Sequence, residues 1–188
     1  MYACFARGRV ALSEGRYEDA LADFKASQVM PENINVGFWN ESVMMPYMYY
    51  EAEALKRLGR TEEAEKIIAK LVTMKNEGMW NMGGEFVYYS AMSVRLGGEE
   101  MRAQRMMRDA ILRWERELEG GCVYHKQIAG LYNCFVGDQR RNRLAALYGM
   151  LGYGKLFNGD VEGARALFEK SVELAPSPKI AFELSLLA

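Results

Sequence analysis

Three side chains in one short stretch of the sequence are candidate metal ligands. Cys122, His125 and Cys134 follow one another with two and eight residues between them, and thiolate and imidazole groups are ligands that zinc prefers. A structural zinc site needs a fourth ligand, and no other cysteine or histidine lies nearby in the sequence. We therefore expect ordinary, partly buried side chains here, with no metal and no other cofactor.

His125 is also the only histidine of the chain, which limits nucleophilic catalysis. A serine or cysteine nucleophile would have no other histidine as its base, and no acidic pattern near His125 would orient that base. Carboxylates are numerous, but none forms an isolated pair in apolar surroundings of the kind that acid–base catalysis uses. The sequence therefore predicts that the protein is not an enzyme.

Arginines are concentrated between residues 102 and 143, but their pattern is that of a solvated helix. Acidic residues interleave with them, and Asp109 and Arg113 stand at the spacing of a helical ion pair. The net charge of −1 provides no general attraction to nucleic acid or to an anionic membrane. Gly152–Lys155 superficially resembles a phosphate loop, yet no strand precedes it. Neither nucleic acid nor a membrane is an expected partner.

Composition indicates a soluble protein, which we expect in the cytoplasm. Hydrophobic residues make up 50% of the chain and charged residues 26%, enough for both a core and a hydrated surface. The three cysteines form no tight framework, which favours reduced thiols. No apolar run approaches the length of a membrane span, and the first residues lack the layout of a signal peptide.

The secondary structure of the chain is indicated by a pattern of small and large residues that repeats four times. Each copy is centred on a glycine that suits the turn between two helices, and these glycines are Gly15, Gly59, Gly98 and Gly159. Seven positions before the glycine the residue is small: Gly8, Ala52, Ala91 and Gly152. Five positions after it stand Ala20, Ala64, Ala103 and Ala164, and nine positions after it stand Phe24, Ile68, Met107 and Phe168.

The last copy shows most clearly what this order means physically. Gly152 and Ala164 let two helices approach closely, and Phe168 fills the gap beside them. Asp160 is placed to accept backbone N–H groups at the start of the second helix, and Pro176 closes the unit. Such a helix pair cannot bury its apolar face alone, so it needs neighbouring copies.

This order of small and aromatic residues resembles the tetratricopeptide repeat family. The resemblance implies an all-α, right-handed superhelix of four helix pairs and a capping helix, in one domain over residues 1–188. The predicted repeats cover residues 2–30, 43–76, 85–118 and 140–175, and the predicted cap covers 178–187. Helices are predicted over 2–14, 17–29, 43–58, 62–76, 85–96, 99–118, 140–157, 161–174 and 178–187. Pro46 is tolerated only in a first turn, and Thr61 is the expected N-cap of the fourth helix.

The insertions between the copies extend this resemblance. The polar stretch PENINVGFWNE and the irregular residues 119–139 are arranged as in the C-terminal tetratricopeptide region of large bacterial proteins of uncharacterised function. In those proteins an N-terminal β-sandwich part that resembles sugar-mutarotase folds precedes the repeats. The resemblance implies that this chain, which starts abruptly inside a repeat, is a fragment of a longer protein linked to carbohydrate metabolism.

The first helix of each pair is expected to line the concave side and to carry a partner-binding face rich in tyrosine and arginine, residue types common at interface hot spots. The predicted binding residues are Phe5, Arg9, Tyr49, Tyr50, Glu53, Lys56, Tyr88, Tyr89, Met92, Arg95 and Tyr153. Tyr49-Tyr50 and Tyr88-Tyr89 recur at equivalent positions, which predicts a ladder of rings. Adjacent residues of a helix point about 100° apart, so the two tyrosines of a pair face different directions. We expect at least one tyrosine of each pair to be exposed to the groove and the other to pack between helices.

These features predict a non-catalytic scaffold that binds a peptide segment or a neighbouring domain on its aromatic concave face. Glu53 and the tyrosines stand where the terminal-carboxylate clamp of some tetratricopeptide domains needs cations and amides, so that particular function is not expected. The alternative is an intramolecular support for a carbohydrate-related domain located upstream. An exposed apolar groove would also be compatible with a homodimer.

Overall fold

The computed structural model describes residues 2–29, 41–74, 84–120 and 138–187, and all regular structure in these ranges is helical. A 3₁₀ turn, Glu41–Met44, precedes the third α-helix. The helices are α1 (Tyr2–Ser13), α2 (Tyr17–Ser27), α3 (Met45–Arg57), α4 (Thr61–Thr73), α5 (Gly84–Leu96), α6 (Glu100–Glu119), α7 (Gln139–Phe157), α8 (Val161–Leu174) and α9 (Pro178–Leu186). The predicted all-α helical-repeat fold is confirmed.

The helix boundaries follow the predictions closely, with one correction at the start of α4. Pro46 lies in the first turn of α3, as required. Thr61 is the first residue of α4 and not its cap; the N-cap is Arg60, whose side chain makes no capping hydrogen bond. The Arg60 guanidinium instead contacts the Glu63 carboxylate at 2.7 and 2.8 Å. In these turns the residue directly after the glycine is the N-cap of the next helix. Arg60 therefore caps α4, just as Asp160 caps α8.

All four turn glycines adopt a left-handed backbone, with φ between 75° and 90°. At Gly59 the N–H donates to the carbonyl of Lys56 at 3.1 Å, and the next N–H, that of Arg60, donates to Leu55 at 2.9 Å. Equivalent pairs of bonds close the other three turns. The repeated glycine therefore reflects a backbone conformation that L-residues with a Cβ disfavour.

We expect Gly59→Ala to lower the free energy of unfolding by about 1–2 kcal/mol, the cost of a left-handed L-residue. A Cβ at Gly59 would meet no atom within 4 Å, so the loss would be purely conformational. Urea unfolding would measure it, and Gly59→Asn should cost less because asparagine tolerates this conformation. Equal losses for the two variants would contradict this explanation.

The chain divides into two compact units, Met1–Arg105 and Met106–Ala188, with the boundary inside α6. In the first unit α1 packs on α2, α2 on α3, and α3 and α4 both pack on α5. In the second unit α7 packs on α8 and α8 on α9. Each unit thus contains antiparallel helix pairs stacked on neighbouring helices, and the single domain over residues 1–188 stays a prediction.

The small residue of the repeat lies directly against the large one in the first and last copies. A Cβ built on Gly152 would stand 2.5 Å from Cε1 of Phe168, and one on Gly8 would stand 2.7 Å from Cε1 of Phe24. Both phenylalanines are fully buried. The close approach predicted between the helices of a pair is confirmed, and it leaves no room for a methyl group.

The predicted capping helix is confirmed as α9, which packs on α8 and α7. Ser177 accepts a hydrogen bond from the backbone N–H of Ile180 at the start of α9. Ile180 covers Gly149 of α7, where a Cβ would lie 3.2 Å from Cδ1 of Ile180. The buried Tyr153 hydroxyl donates to the buried Glu183 carboxylate at 3.5 Å. Apolar packing and one buried polar contact therefore hold the cap.

Candidate functional site

The tyrosines predicted to face a groove are buried. Exposed fractions are 5% for Tyr49, 8% for Tyr50, 8% for Tyr88 and 1% for Tyr89, so the expectation that one tyrosine of each pair is exposed is wrong. Phe5 and Tyr153 are buried as well. The reason is that rings from successive repeats cover one another, which the periodicity of a single helix does not reveal.

The predicted ladder of rings is nevertheless present in the first unit, as a buried cluster. The ring centroids of Phe5 and Tyr50 are 5.6 Å apart, those of Tyr50 and Tyr89 are 5.8 Å apart, and those of Tyr49 and Tyr89 are 5.7 Å apart. Tyr88 contacts Tyr89 edge-on at 5.0 Å. These are the separations at which aromatic pairs stabilise a core. We call Phe5, Phe24, Tyr49, Tyr50, Tyr88 and Tyr89 the aromatic ladder.

Three charged side chains are connected to the aromatic ladder, either directly or through one another. The guanidinium carbon of Arg9 lies 4.3 Å from the centroid of the Tyr50 ring, within range of a cation–π contact. The Glu53 side chain is 23% exposed, and its carboxylate lies 3.8 Å from a guanidinium nitrogen of Arg57. The Tyr49 hydroxyl donates to the same carboxylate. We call Arg9, Glu53 and Arg57 the charged cluster.

Burial and charge act in opposite directions on this cluster. Burial raises the pKa of Glu53, while the positive charges of Arg57 and Arg9 lower it. Burial, together with the neighbouring Glu53 carboxylate, raises the pKa of Tyr49 well above its usual value, so its hydroxyl stays a hydrogen-bond donor. The cluster therefore combines a half-buried acceptor with two guanidinium groups, one of which lies over a buried aromatic ring.

The other predicted binding residues of the first unit make structural contacts. Lys56 Nζ donates to the carbonyl of Leu96, the last residue of α5, at 2.9 Å. A cation is favourable there because the carbonyl groups at a helix C-terminus carry partial negative charge. Arg95 pairs with both carboxylate oxygens of Glu100 at 2.9 and 3.0 Å and lies beside the half-buried Met92. Whether these side chains also contact a partner stays a prediction.

Tyr153 lies in the second unit and is described there alone. Its ring contacts that of Phe168 edge-on, with 5.2 Å between the centroids. Together with the hydrogen bond to Glu183, this contact places Tyr153 in the core between α7, α8 and α9. Its predicted role in binding a partner would require movement of the cap.

Sequence reasoning missed two charged residues of the first unit. Arg57 follows Glu53 by four residues, the spacing of a helical ion pair, and that signal was available. Asp23 is buried in the first helix pair, where Arg7 Nε donates to it at 2.7 Å and lowers the pKa of its carboxyl. The presence of Asp23 within the apolar stripe of α2 was the sequence signal for a buried ion pair.

Two further predictions concern metals and membranes. The Cys122–His125–Cys134 candidates lie outside the described residues, and no group of metal-ligating side chains is placed to hold an ion within the described ranges. In the same ranges, no helix has both the length and the apolar character needed to cross a membrane.

The comparison with known protein families finds a match to the tetratricopeptide repeat. No curated protein and no solved structure matches the chain significantly. The match covers residues 145–178, which include most of α7, all of α8 and the first residue of α9. That segment has leucine and glycine at 151–152, Ala164, Phe168 and Pro176 in the order typical of the repeat. Repeats of this family generally mediate protein–protein interactions and are non-catalytic. The chain therefore carries a tetratricopeptide repeat at residues 145–178, within an all-α helical-repeat fold.

Proposed function

We propose that the first unit binds a segment of another protein on the charged cluster, as a non-catalytic interaction module. The observation that carries this proposal is the half-buried Glu53 carboxylate, which lies 3.8 Å from the Arg57 guanidinium and whose pKa is also lowered by the charge of Arg9, the residue that covers the Tyr50 ring. Interaction is also the general role of the repeat matched at residues 145–178.

The aromatic ladder supports the proposal through rigidity. Its rings are buried and contact one another across α1, α3 and α5, so the side chains beneath the charged cluster have one arrangement. Association is weakened by every side chain that must be ordered on binding. A surface fixed in advance therefore loses less free energy when a partner docks.

The charges define what kind of segment would fit. Glu53 can accept hydrogen bonds from backbone N–H groups or from a cationic side chain of the partner. Arg57, whose side chain is 60% exposed, can donate to backbone carbonyl or carboxylate oxygens. We expect an extended segment that offers both kinds of group, because two neighbouring charges of opposite sign discriminate against a partner with only one.

Reversing one exposed charge of the cluster tests this. We expect Arg57→Glu to weaken peptides selected from a random library against the wild-type protein by about tenfold or more, which corresponds to losing one charge-assisted contact. Fluorescence anisotropy would measure the dissociation constants. Lys66→Glu is the matched control, since Lys66 is an exposed cation on α4 in the same unit.

Selected peptides that respond equally to the two substitutions would overturn the assignment to the charged cluster. The same would follow if Arg57→Glu lowered the melting temperature and Lys66→Glu did not, because the loss of binding would then reflect unfolding. Circular dichroism of both variants separates these outcomes.

A second candidate function is support for another domain of the same polypeptide. The observation that favours it is that Lys56 binds the carbonyl of Leu96 and Arg95 binds Glu100. Because these two cations already have partners within the chain, fewer hydrogen-bond donors remain for a separate peptide. A library that yields no peptide against a folded protein would favour this candidate. A longer polypeptide that contains this chain together with its natural flanking sequence would then test the candidate. If a flanking domain packs on the repeats, the melting temperature of the repeats should be higher in the longer polypeptide than in this chain alone.

A further inference from the structure

The first helix pair contains an ion pair at positions where the other copies of the repeat have no cation. Arg7 lies eight residues before the turn glycine and Asp23 eight residues after it. Arg7 Nε donates to Oδ2 of Asp23 at 2.7 Å, and a second guanidinium nitrogen contacts Oδ1. The residues at the same offsets in the other three copies are Glu51 and Ile67, Ser90 and Met106, and Leu151 and Leu167.

This ion pair places a carboxylate in the core of the first unit. The Asp23 side chain is 9% exposed, whereas that of Arg7 is 70% exposed. Arg16, whose charge also acts on Asp23, is itself held by Asp19 at 2.8 Å and by Glu14 at 2.6 Å. A buried carboxylate is costly without its partner, and replacing a buried ion pair by uncharged residues is often neutral or stabilising. Stability alone therefore does not account for the Arg7–Asp23 pair.

The first and last helix pairs are interchangeable in their main packing residues. The four packing offsets carry identical residues in the two copies, namely Gly8 and Gly152, Ala20 and Ala164, Phe24 and Phe168, and Ser27 and Ser171. All of them are buried. α1 packs on α2 as α7 packs on α8, and in both pairs the glycine lies against the phenylalanine. Packing alone would therefore accept α2 against α7, or α1 against α8.

The two middle copies cannot take part in such an exchange. They have Ala52 and Ala91 in place of the glycine. A Cβ on Gly8 or Gly152 would stand 2.7 or 2.5 Å from the phenylalanine ring, so a helix with alanine at this position has no room for that ring. Exchange of helices is therefore open only to the first and last pairs.

We propose that the Arg7–Asp23 ion pair prevents the first and last helix pairs of two copies of the chain from exchanging helices. In an exchanged pairing, α2 of one copy would pack on α7 of another, and Asp23 would meet Leu151 in place of Arg7. The carboxylate would then be buried without its cation, which is strongly unfavourable. Exchange of equivalent elements is a characteristic misassembly of repeat proteins. The ion pair makes the two helix pairs different where their packing is the same.

Arg7→Ser combined with Asp23→Met removes the ion pair and tests the proposal. The third copy already has this combination, as Ser90 and Met106. We expect the double variant to melt at or above the wild-type temperature. After refolding from urea at high concentration it should contain at least about tenfold more dimers and larger species that persist on dilution, because exchange no longer buries an unpaired charge. Size-exclusion chromatography with light scattering would measure them.

Arg60→Ser combined with Glu63→Gln is the matched control. It also removes an arginine–carboxylate pair from the first unit, but both side chains are largely exposed, at 38% and 49%. This variant should refold to the same species as the wild type. If it formed as many persistent oligomers as the variant without Arg7 and Asp23, burial of the ion pair would be irrelevant and the proposal would be overturned.

A disulfide identifies the exchanged pairing directly. In the last pair Ser171 Oγ donates to the carbonyl of Ala145 at 2.8 Å, so these two positions are neighbours. Ser27 would take the place of Ser171 in an exchanged pairing. In a chain whose Cys4, Cys122 and Cys134 are replaced by serine, Ser27→Cys with Ala145→Cys should therefore link two copies through residues 27 and 145 on mild oxidation, once the ion pair is removed.

Every outcome of these experiments decides the question. Linked dimers that form equally with and without the ion pair would overturn the proposal, and so would oligomers of the double variant that contain no such link. A double variant that fails to fold would overturn it as well, because the ion pair would then be needed for stability.

Discussion

Substituting Gly152 with alanine is expected to lower the free energy of unfolding by about 2 kcal/mol or more, the cost of overpacking a close-packed core. In an ordinary helix the same change stabilises by about 0.5–1 kcal/mol. The sign reverses here because the added Cβ would lie 2.5 Å from Cε1 of the fully buried Phe168. Neither the ring nor the backbone of α7 can move without disturbing the packing of α8. Urea unfolding of the two proteins would measure the difference.

The partner substitution Phe168→Ile should relieve the clash. The second repeat has alanine at the position of Gly152 and Ile68 at the position of Phe168, so this pairing already occurs in the chain. We expect Gly152→Ala combined with Phe168→Ile to be more stable than the sum of the single effects predicts, by about 1–3 kcal/mol. Additive losses would show that the small residue and the ring are not coupled. Gly8→Ala with Phe24→Ile repeats the experiment in the first unit.

The fold could be predicted because its signals are local. Each turn glycine marks a left-handed residue, a conformation that glycine adopts at little cost, so the sequence reveals the turn directly. The pairing of Gly152 with Phe168 is equally explicit, since the two residues have fixed offsets from Gly159. The start of α4 was placed one residue late because threonine is a good cap, whereas the turn geometry puts Arg60 there.

The candidate site was predicted less well because its side chains are positioned by contacts between repeats. Helical spacing correctly placed Tyr49 and Tyr89 on neighbouring faces, and their rings meet at 5.7 Å. The same spacing could not show that these rings cover one another and exclude solvent. The spacing of Arg57 from Glu53 indicated an ion pair, but the burial of Glu53, which gives this pair its interest, is not visible in the sequence.

The burial of the aromatic ladder changes how partner binding should be tested. A substitution of a ladder tyrosine removes core packing, so a loss of binding would not distinguish a contact residue from an unfolded receptor. Exposed members of the charged cluster, above all Arg57, avoid this ambiguity. In the proposed interaction, the rings contribute only the shape and rigidity of the surface that they support.

Tyr89→Ala is expected to lower the free energy of unfolding by about 3–5 kcal/mol, the range for truncating a buried aromatic side chain. Tyr89 is 1% exposed and its ring contacts those of Tyr49, Tyr50 and Tyr88 at 5.7, 5.8 and 5.0 Å. Removing it would therefore open a cavity and take one ring contact from each of three neighbouring rings. Thermal or urea unfolding followed by circular dichroism would measure the loss.

Tyr89→Phe is the matched control, because it keeps the ring and removes only the hydroxyl. Its cost should be about 1 kcal/mol, the net contribution of a typical hydrogen bond. A large difference between the two variants would establish that ring packing holds α3 and α5 together. If Tyr89→Ala were as stable as Tyr89→Phe, the rings would contribute little to the core, and an exposed aromatic groove would again be the better description of this face.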